Sequence, residues 1–246
     1  MGDVQDKGLF DEYCDSIFKQ SNDLSSEVFE STAENIGRAL QGVLPRDKAA
    51  RILDVGCGCG HFLHYMKRKG YVDVSGIDVS PQQVDHCVNT VGVKAYLADA
   101  QKYLEDKTEY YDFISMMSML EHLPKNNVVP TLKSVHASLK DKGTLVVVVP
   151  NMASIIAPTL RYRDFTHECG FTETSLNQVL WLAGFRKIDV LSMPPKTAHS
   201  TWKQVLRTPM QKTLHAFMGI IYRCEGYYPP KVLTPGLKAV AIKGKG

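Results

Sequence analysis

Residues 51–60 read RILDVGCGCG, an apolar stretch that runs directly into glycines at alternate positions, Gly56, Gly58 and Gly60. The first half predicts a short buried strand, and a helix is predicted to begin near His61. Glycine lets the backbone turn tightly and lets a ligand approach it closely. The first N–H groups of the helix and the positive end of its dipole would point at this turn. We therefore expect a polar or anionic small molecule there.

The spacing of the glycines excludes two common nucleotide sites. A dinucleotide fingerprint, Gly-x-Gly-x-x-Gly, needs glycine at its sixth position. That position is His61 when counted from Gly56 and Leu63 when counted from Gly58. A phosphate-binding P-loop needs Gly-Lys followed by Ser or Thr, and no such sequence follows. The ligand is therefore expected to be of another kind.

Acidic residues follow the next two predicted strands as well. The pattern of residues 72–77 leads to Asp78, before a helix that Ser80-Pro81 opens, and the pattern of residues 93–97 leads to Asp99. In an open parallel sheet the ligand lies at the carboxyl ends of the strands, so these acids should face the crevice above the glycine turn. Helix capping explains any one of them. It does not readily explain an acid after each of three successive strands.

The pattern Asp-x-Gly-x-Gly-x-Gly with these acids resembles motif I and the following strands of the class I S-adenosylmethionine-dependent methyltransferases, over about Arg51 to Leu191. The resemblance implies a three-layer α/β, Rossmann-like fold whose seven-stranded sheet is mostly parallel with an antiparallel last strand. It implies S-adenosyl-L-methionine as cofactor, with Asp54 supporting the amino group, Asp78 the ribose hydroxyls and Asp99 the adenine amine. The other residues that it places at the cofactor are Gly56, Cys57, Gly58, Gly60, Val79, Ala100 and Met116.

The periodicity divides the chain into a helical N-terminal segment, residues 1–50, and a methyltransferase domain, residues 51–246. Within the first segment, a helix around residues 10–18 is predicted to lie over the cofactor. Further strands are predicted at 111–116, 144–150, 187–191 and 237–242, with helices at 62–69, 82–89, 127–140 and 172–183. Two excursions remain, a lid loop at 151–170 and an insertion at 192–236 between the last two strands.

Two histidines are expected at the acceptor. His122 follows the fourth strand in Leu120-Glu121-His122-Leu123, which is similar to small-molecule methyltransferases of the ubiquinone-pathway type. His167 lies in RYRDFTHECGFT, residues 161–172, which looks like bacterial methyltransferases of glycan and surface-polysaccharide synthesis. These resemblances imply O-methylation of a sugar or glycan intermediate. His167 is the expected general base, oriented by Asp164 or Glu168, and His122 is a second catalytic candidate.

Other interpretations of these residues stay open. His167 also fits a structural hinge, and His122 fits a helix cap or a pocket wall. A divalent metal held by Glu121, Asp164 and Glu168 is conceivable, but the spacing is not diagnostic, and no metal site is predicted.

Four residues are assigned to acceptor binding, namely Asn151, Arg161, Arg163 and Glu168. The two arginines suit a phosphate or carboxylate on the acceptor, because a guanidinium matches such groups bidentately. They suit a solvated surface equally well.

Composition narrows the function classes. The net charge of +3 over 246 residues gives no general nucleic-acid signature, and the Asn/Asp-Pro-Pro-aromatic motif of DNA adenine methyltransferases is absent after the fourth strand. No secretory or membrane-spanning apolar run is seen, and the cysteines form no CxxC pair, so we expect a cytoplasmic protein with reduced thiols and no zinc. The main alternatives are a methyltransferase of a small aromatic or isoprenoid metabolite and a non-catalytic cofactor-binding subunit.

The segment 196–223 is basic and amphipathic, with no acidic residue. Such a segment can lie on an anionic membrane surface. It can equally pack on its own domain or form a homodimer.

Overall fold

The computed structural model describes residues 25–193 and 201–244, and for residues 201–206 it describes the backbone alone. The helix expected around residues 10–18 lies outside this part of the chain. The helices are α1 (Ser26–Ala39), α2 (His61–Arg68), α3 (Pro81–Asp85), α4 (Ala100–Leu104), α5 (Lys125–Ser138), α6 (Ala157–Tyr162), α7 (Glu173–Leu182) and α8 (Thr201–Cys224). A π-helical turn, His86–Val91, continues α3, and a 3₁₀ turn spans Leu120–His122.

The strands form one sheet of seven. They are β1 (Ile52–Val55), β2 (Val74–Asp78), β3 (Ala95–Leu97), β4 (Tyr111–Met117), β5 (Leu139–Pro150), β6 (Lys187–Ser192) and β7 (Gly236–Ile242). Their order is β3-β2-β1-β4-β5-β7-β6, and β7 runs antiparallel to both of its neighbours. The predicted mostly parallel, Rossmann-like sheet with an antiparallel last strand is confirmed. The order reverses between β1 and β4, which is where ligands bind in such sheets.

Helices cover both faces of the sheet and create two apolar clusters. One cluster includes Leu132 of α5 and Leu180 of α7, and the other includes Phe62 and Met66 of α2. Residues 145–149 of β5 are buried, as the continuous apolar run predicted for a strand covered on both faces. The sheet therefore forms a firm support for the loops at its carboxyl edge.

Some boundaries differ from the predictions. β5 begins at Leu139 instead of residue 144, because Leu139 pairs with Tyr111 across a register shift in β4. The predicted lid loop contains the short helix α6, and the insertion contains the long helix α8. Within the described residues, no helix has both the length and the apolar content that crossing a membrane requires.

Candidate cofactor and acceptor site

The glycine turn follows β1 and enters α2 with all three glycines in the left-handed region. Their φ angles are 71° at Gly56, 53° at Gly58 and 86° at Gly60. At Gly56 a Cβ atom would lie 2.5 Å from Cγ of Met119, whereas at Gly58 its nearest neighbour would be Oε1 of Gln83 at 3.7 Å. The protein therefore packs tightly against the first glycine and leaves the second open to a ligand, as a bound methyl donor requires.

Asp54 lies in β1 directly before this turn and is buried. Its register partner in β4 is Ser115, whose hydroxyl donates to Oδ1 of Asp54 over 2.7 Å. Burial raises the pKa of Asp54 to about 8, although the bond from Ser115 opposes this rise. A buried carboxyl group of this kind suits a cationic ligand group such as the ammonium of S-adenosylmethionine.

Asp78 connects the end of β2 to the glycine turn. Its Oδ2 accepts from the backbone N–H of Gly58 over 2.9 Å, and its Oδ1 accepts from that of Ser80 over 2.9 Å. Asp99 instead caps α4, where Oδ1 accepts from the N–H groups of Gln101 and Lys102. Asp54, Gly58 and Asp78 thus meet at one crevice, and Asp99 stands at the start of α4 at the same edge of the sheet.

The candidate acceptor side begins where β4 ends, close in sequence to Met119, which packs against Gly56 of the glycine turn. There the structure brings together Glu121, His122 and His167, whose ligand-type atoms all lie within 4.8 Å of one another. The rings of the two histidines meet edge to face at 4.8 Å between centroids. Burial is the main cause of all three pKa shifts: it raises the pKa of Glu121 to about 8, lowers that of His122 to about 4 and lowers that of His167.

Hydrogen bonds define which ring nitrogen of each histidine carries the proton. The Thr166 hydroxyl donates to Oδ1 of Asp164 over 2.7 Å, so Nδ1–H of His122 donates to the Thr166 oxygen over 2.7 Å. Nδ1–H of His167 donates to the carbonyl of Leu160 over 3.1 Å. In both neutral rings Nε2 is therefore the nitrogen with the lone pair.

The sequence profile of a methyltransferase domain family matches residues 25–190 of this chain. The chain belongs to the class I S-adenosylmethionine-dependent methyltransferases. The glycine turn and the acids Asp54 and Asp78 fit the cofactor of that family.

The sequences of several curated proteins resemble parts of this chain. The chain is 35% identical over 79 residues to a ubiquinone biosynthesis O-methyltransferase of Shewanella, covering 30% of this chain and 33% of the relative. It is 32% identical over 160 residues to a tRNA U34 carboxymethyltransferase of Pseudomonas paraeruginosa, covering 58% of this chain and 48% of the relative. The methyltransferase therefore spans a third to about half of the length of these relatives.

A solved structure shares nearly the whole fold. A SAM-dependent methyltransferase from Archaeoglobus fulgidus superposes with a TM-score of 0.65 at 21% identity. The match covers 92% of this chain and 98% of that one. At this level of identity the likeness concerns the fold alone, and it supports the seven-stranded arrangement described above.

Three site predictions need correction in this methyltransferase. Asn151 is fully buried, and its amide group donates to the carbonyls of Val232 and Thr234 while its oxygen accepts from Ala153, so its role is structural. Met116 is also fully buried within the apolar cluster of β4 and β5, so its side chain does not line the crevice. Glu168 is exposed and lies outside the histidine cluster of the described residues, so it does not orient His167 there.

Other predicted residues occupy defined places. The guanidinium of Arg161 donates to the carbonyls of His167 and Glu168, so it is engaged within the loop, and Arg163 is exposed. Val79 is exposed after β2, while Cys57 and Ala100 are buried and offer the crevice only their backbone. The cofactor and acceptor roles of these residues stay predictions.

Sequence reasoning missed Ser115, Met119 and Thr166. Ser115 could have been found from the register of β1 and β4, since it lies opposite Asp54. Thr166 could have been found from its position two residues after Asp164, a spacing typical of a turn in which the Asp carboxylate accepts from the backbone N–H two residues later. Met119 gave no signal, because only the fold brings it against Gly56.

Proposed function

We propose that this methyltransferase transfers a methyl group to a hydroxyl oxygen of a small polar acceptor, a sugar or glycan intermediate. The observation that carries the proposal is the pair of neighbouring imidazoles of His122 and His167, whose ring centroids lie 4.8 Å apart and each of which is oriented by a bond at its Nδ1. A neutral amine can attack the methyl group through its own lone pair, whereas a hydroxyl is a weak nucleophile unless a group takes its proton or makes it acidic.

When bound, S-adenosylmethionine supplies an electrophilic methyl group on a sulfonium. Since methyl transfer is an in-line displacement, the chain must hold the acceptor oxygen at near-attack distance, and such orientation contributes ~7–11 kcal/mol. A positioned base adds about 10²–10⁴ in rate. Two routes are open to His167 here: its Nε2 takes the hydroxyl proton directly, or it binds a cation that makes the hydroxyl acidic.

The polarity of the acceptor side supports a sugar over an apolar ring. Glu121, His122, Asp164 and Thr166 make this side polar, and the last three form one hydrogen-bonded chain. A phenol is the second candidate, because the Shewanella relative that matches part of this chain is named for ubiquinone biosynthesis. A panel of acceptors separates the two.

The test uses the full chain with S-adenosylmethionine and measures S-adenosylhomocysteine release with nucleotide sugars and with catechols. The variant Thr166→Val removes the hydroxyl that connects His122 to Asp164 at nearly constant volume. We expect its kcat to fall 10–100-fold with unchanged cofactor affinity, because the ring of His122 loses its orientation. Thr174→Val, at an exposed position of α7, is the matched control and should keep full activity.

Two results would contradict the proposal. One is cofactor binding without turnover of any hydroxyl acceptor, which would favour a non-catalytic cofactor-binding subunit. The other is turnover of amines alone. If the enzyme prefers catechols to sugars, the proposed acceptor class is wrong and the proposed O-methylation is upheld.

We also propose that α8 attaches the protein to an anionic lipid surface. Its exposed apolar side chains include Met210, Leu214, Phe217 and Ile221, which recur at helical spacing along one stripe. Basic residues and the absence of acids between residues 196 and 223 complement anionic headgroups. If α8 binds such a surface, the acceptor of the proposed reaction is expected to be a lipid-linked sugar.

A further inference from the structure

We propose that Glu121, His122 and His167 bind a divalent first-row transition cation beside the cofactor crevice. The binding site itself stands on geometry alone. Its role in catalysis rests on the proposed O-methylation.

The three side chains converge from two segments that are fastened together. Glu121 and His122 follow β4, and His167 belongs to the loop after β5. The carbonyl of Glu121 accepts from the N–H groups of Glu168 and Cys169 over 2.8 and 2.9 Å. This pair of backbone bonds holds the two segments in register, so the cluster does not depend on side-chain contacts alone.

The distances suit a common ligand sphere. The ligand-type atoms lie within 4.8 Å of one another. A cation about 2.1 Å from each ligand atom in tetrahedral geometry holds these atoms about 3.4 Å apart, so side-chain movements of about 1.4 Å or less complete the sphere. Such rotations are ordinary for Glu and His.

In both histidines the ring is oriented as a metal ligand by a hydrogen bond that its Nδ1–H donates. Metal-bound histidines usually donate their other ring N–H to a carbonyl or, directly or through a relay, to a carboxylate. His167 donates to the Leu160 carbonyl, and His122 donates to Thr166, which donates to Asp164. These bonds fix the tautomer in which Nε2 carries the lone pair.

The buried carboxyl group of Glu121 is the strongest evidence for a bound cation. Its side chain is 1% exposed, and neither carboxylate oxygen has a hydrogen-bond partner in the described part of the chain. A buried polar group without a partner is destabilising, and nearly all such groups in proteins are satisfied. A cation held with His122 and His167 would satisfy both oxygens.

The ligand types indicate the class of cation. Two imidazoles and one carboxylate suit Zn²⁺, Mn²⁺, Fe²⁺ or Co²⁺, whereas Mg²⁺ and Ca²⁺ prefer sites made of oxygen ligands. Three protein ligands leave coordination positions open for an acceptor hydroxyl. The metal set Glu121, Asp164 and Glu168 that the sequence suggested differs from this one, because Asp164 is used to orient His122.

A cation here would change the route of proton removal. It would bind the acceptor hydroxyl and lower its pKa. The S–CH₃ bond would break as the O–CH₃ bond forms, the hydroxyl proton would pass to water, and the sulfonium would become a neutral thioether. His167 would then act as a ligand instead of taking the proton itself.

The experiment titrates Co²⁺ into the full chain after treatment with a chelator and follows visible absorption, with Mn²⁺, Zn²⁺ and Mg²⁺ compared by calorimetry. We expect one transition ion per chain and weaker binding of Mg²⁺. Glu121→Gln and His167→Asn should weaken Co²⁺ binding at least 10-fold. Glu105→Gln, at an exposed position beyond α4, is the matched control and should bind as the wild type does.

The outcomes separate the two proposals. The affinity for the cofactor is measured on every variant, and an affinity equal to that of the wild type shows that the variant is folded. A wild-type spectrum of hydrated Co²⁺, or equal binding by Glu121→Gln, would overturn the metal site even if O-methylation is observed. Specific Co²⁺ binding without turnover of any hydroxyl would uphold the metal site and count against the proposed function. If both variants fail to fold, the wild-type spectrum decides, since imidazole ligands alter it and water alone does not.

Discussion

Asp54 is a carboxyl group placed where a negative charge is unfavourable until a cation comes close. Burial raises its pKa from 3.8 to about 8, and a hydrogen bond from the Ser115 hydroxyl opposes this rise. The ammonium of S-adenosylmethionine would restore the ionised form, so cofactor binding below pH 8 should release a proton. Affinity for the cofactor should therefore increase as the pH rises toward 8.

The variant Asp54→Asn tests this coupling. Because the folded-state pKa lies above the unfolded one, the folded chain holds the proton more tightly, and the free energy of unfolding falls as the pH rises from about 4 to 8. Asp54→Asn removes this contribution, so thermal melts at pH 5 and pH 8 should differ less than in the wild type. Calorimetry should show at least 10-fold weaker cofactor binding without the pH trend.

The exposed Asp141→Asn serves as the control and should keep the wild-type pH dependence of both melting and binding. Should Asp54→Asn retain the wild-type pH dependence, Asp54 would not be the coupled group.

Residue positions also show what the sequence could and could not predict. Asp54 and Asp78 were predictable, because parallel strands end at one edge of a sheet and their last side chains meet there. Met116 was misplaced, since in β4 its side chain lies in the core, and Met119 after the strand contacts the glycine turn instead. The proximity of Glu121 to His167 was not predictable, because it depends on the path of the long loop that carries His167.

At the scale of elements, the segment predicted as a lid is fastened at several points. Its base is held by the bonds of Asn151 to Val232 and Thr234, and its distal part by Arg161 and by the carbonyl of Glu121. The sequence predicted a loop over residues 151–170, but its alternation of polar and apolar residues did not indicate these bonds. The segment therefore presents His167 from a fixed position.

The variant Asn151→Ala tests the fastening of the loop base. It would leave the buried carbonyl of Val232 and the partly buried carbonyl of Thr234 without a donor, and the unfolding free energy should fall by about 2–4 kcal/mol in urea denaturation. Asn126→Ala, at an exposed position of α5, should change it by less than about 0.5 kcal/mol. Equal stabilities of the two variants would show that the loop base is held by other contacts.

At the scale of the whole molecule, the sheet and helices predicted over residues 51–191 are confirmed. The segments added to them, above all the insertion that contains α8, distinguish this chain from a minimal fold of this kind. Helix α8 was anticipated as a basic amphipathic segment, and the structure shows its apolar stripe exposed. Amphipathic spacing indicates a helix with two faces, but it does not indicate which face the domain covers.

Flotation with liposomes tests the lipid surface of α8. The wild type should rise with vesicles that contain phosphatidylglycerol, remain behind with neutral vesicles, and detach at high salt. Phe217→Glu places a charge in the apolar stripe and should abolish flotation, whereas Val72→Glu, at an exposed apolar position before β2, should not. If the wild type does not float and is dimeric by light scattering, the stripe is a homodimer contact instead.

The bonds of Asn151 also have a consequence for how the protein folds during its translation. The cofactor half, β1 to β3, comes from one stretch of the chain and can assemble while later residues are still being translated. The partners of Asn151, Val232 and Thr234, are translated 81 and 83 residues after it. A nascent chain would therefore form the crevice at the glycine turn first, and it would fix the base of the loop that carries His167 only after Thr234 has been translated.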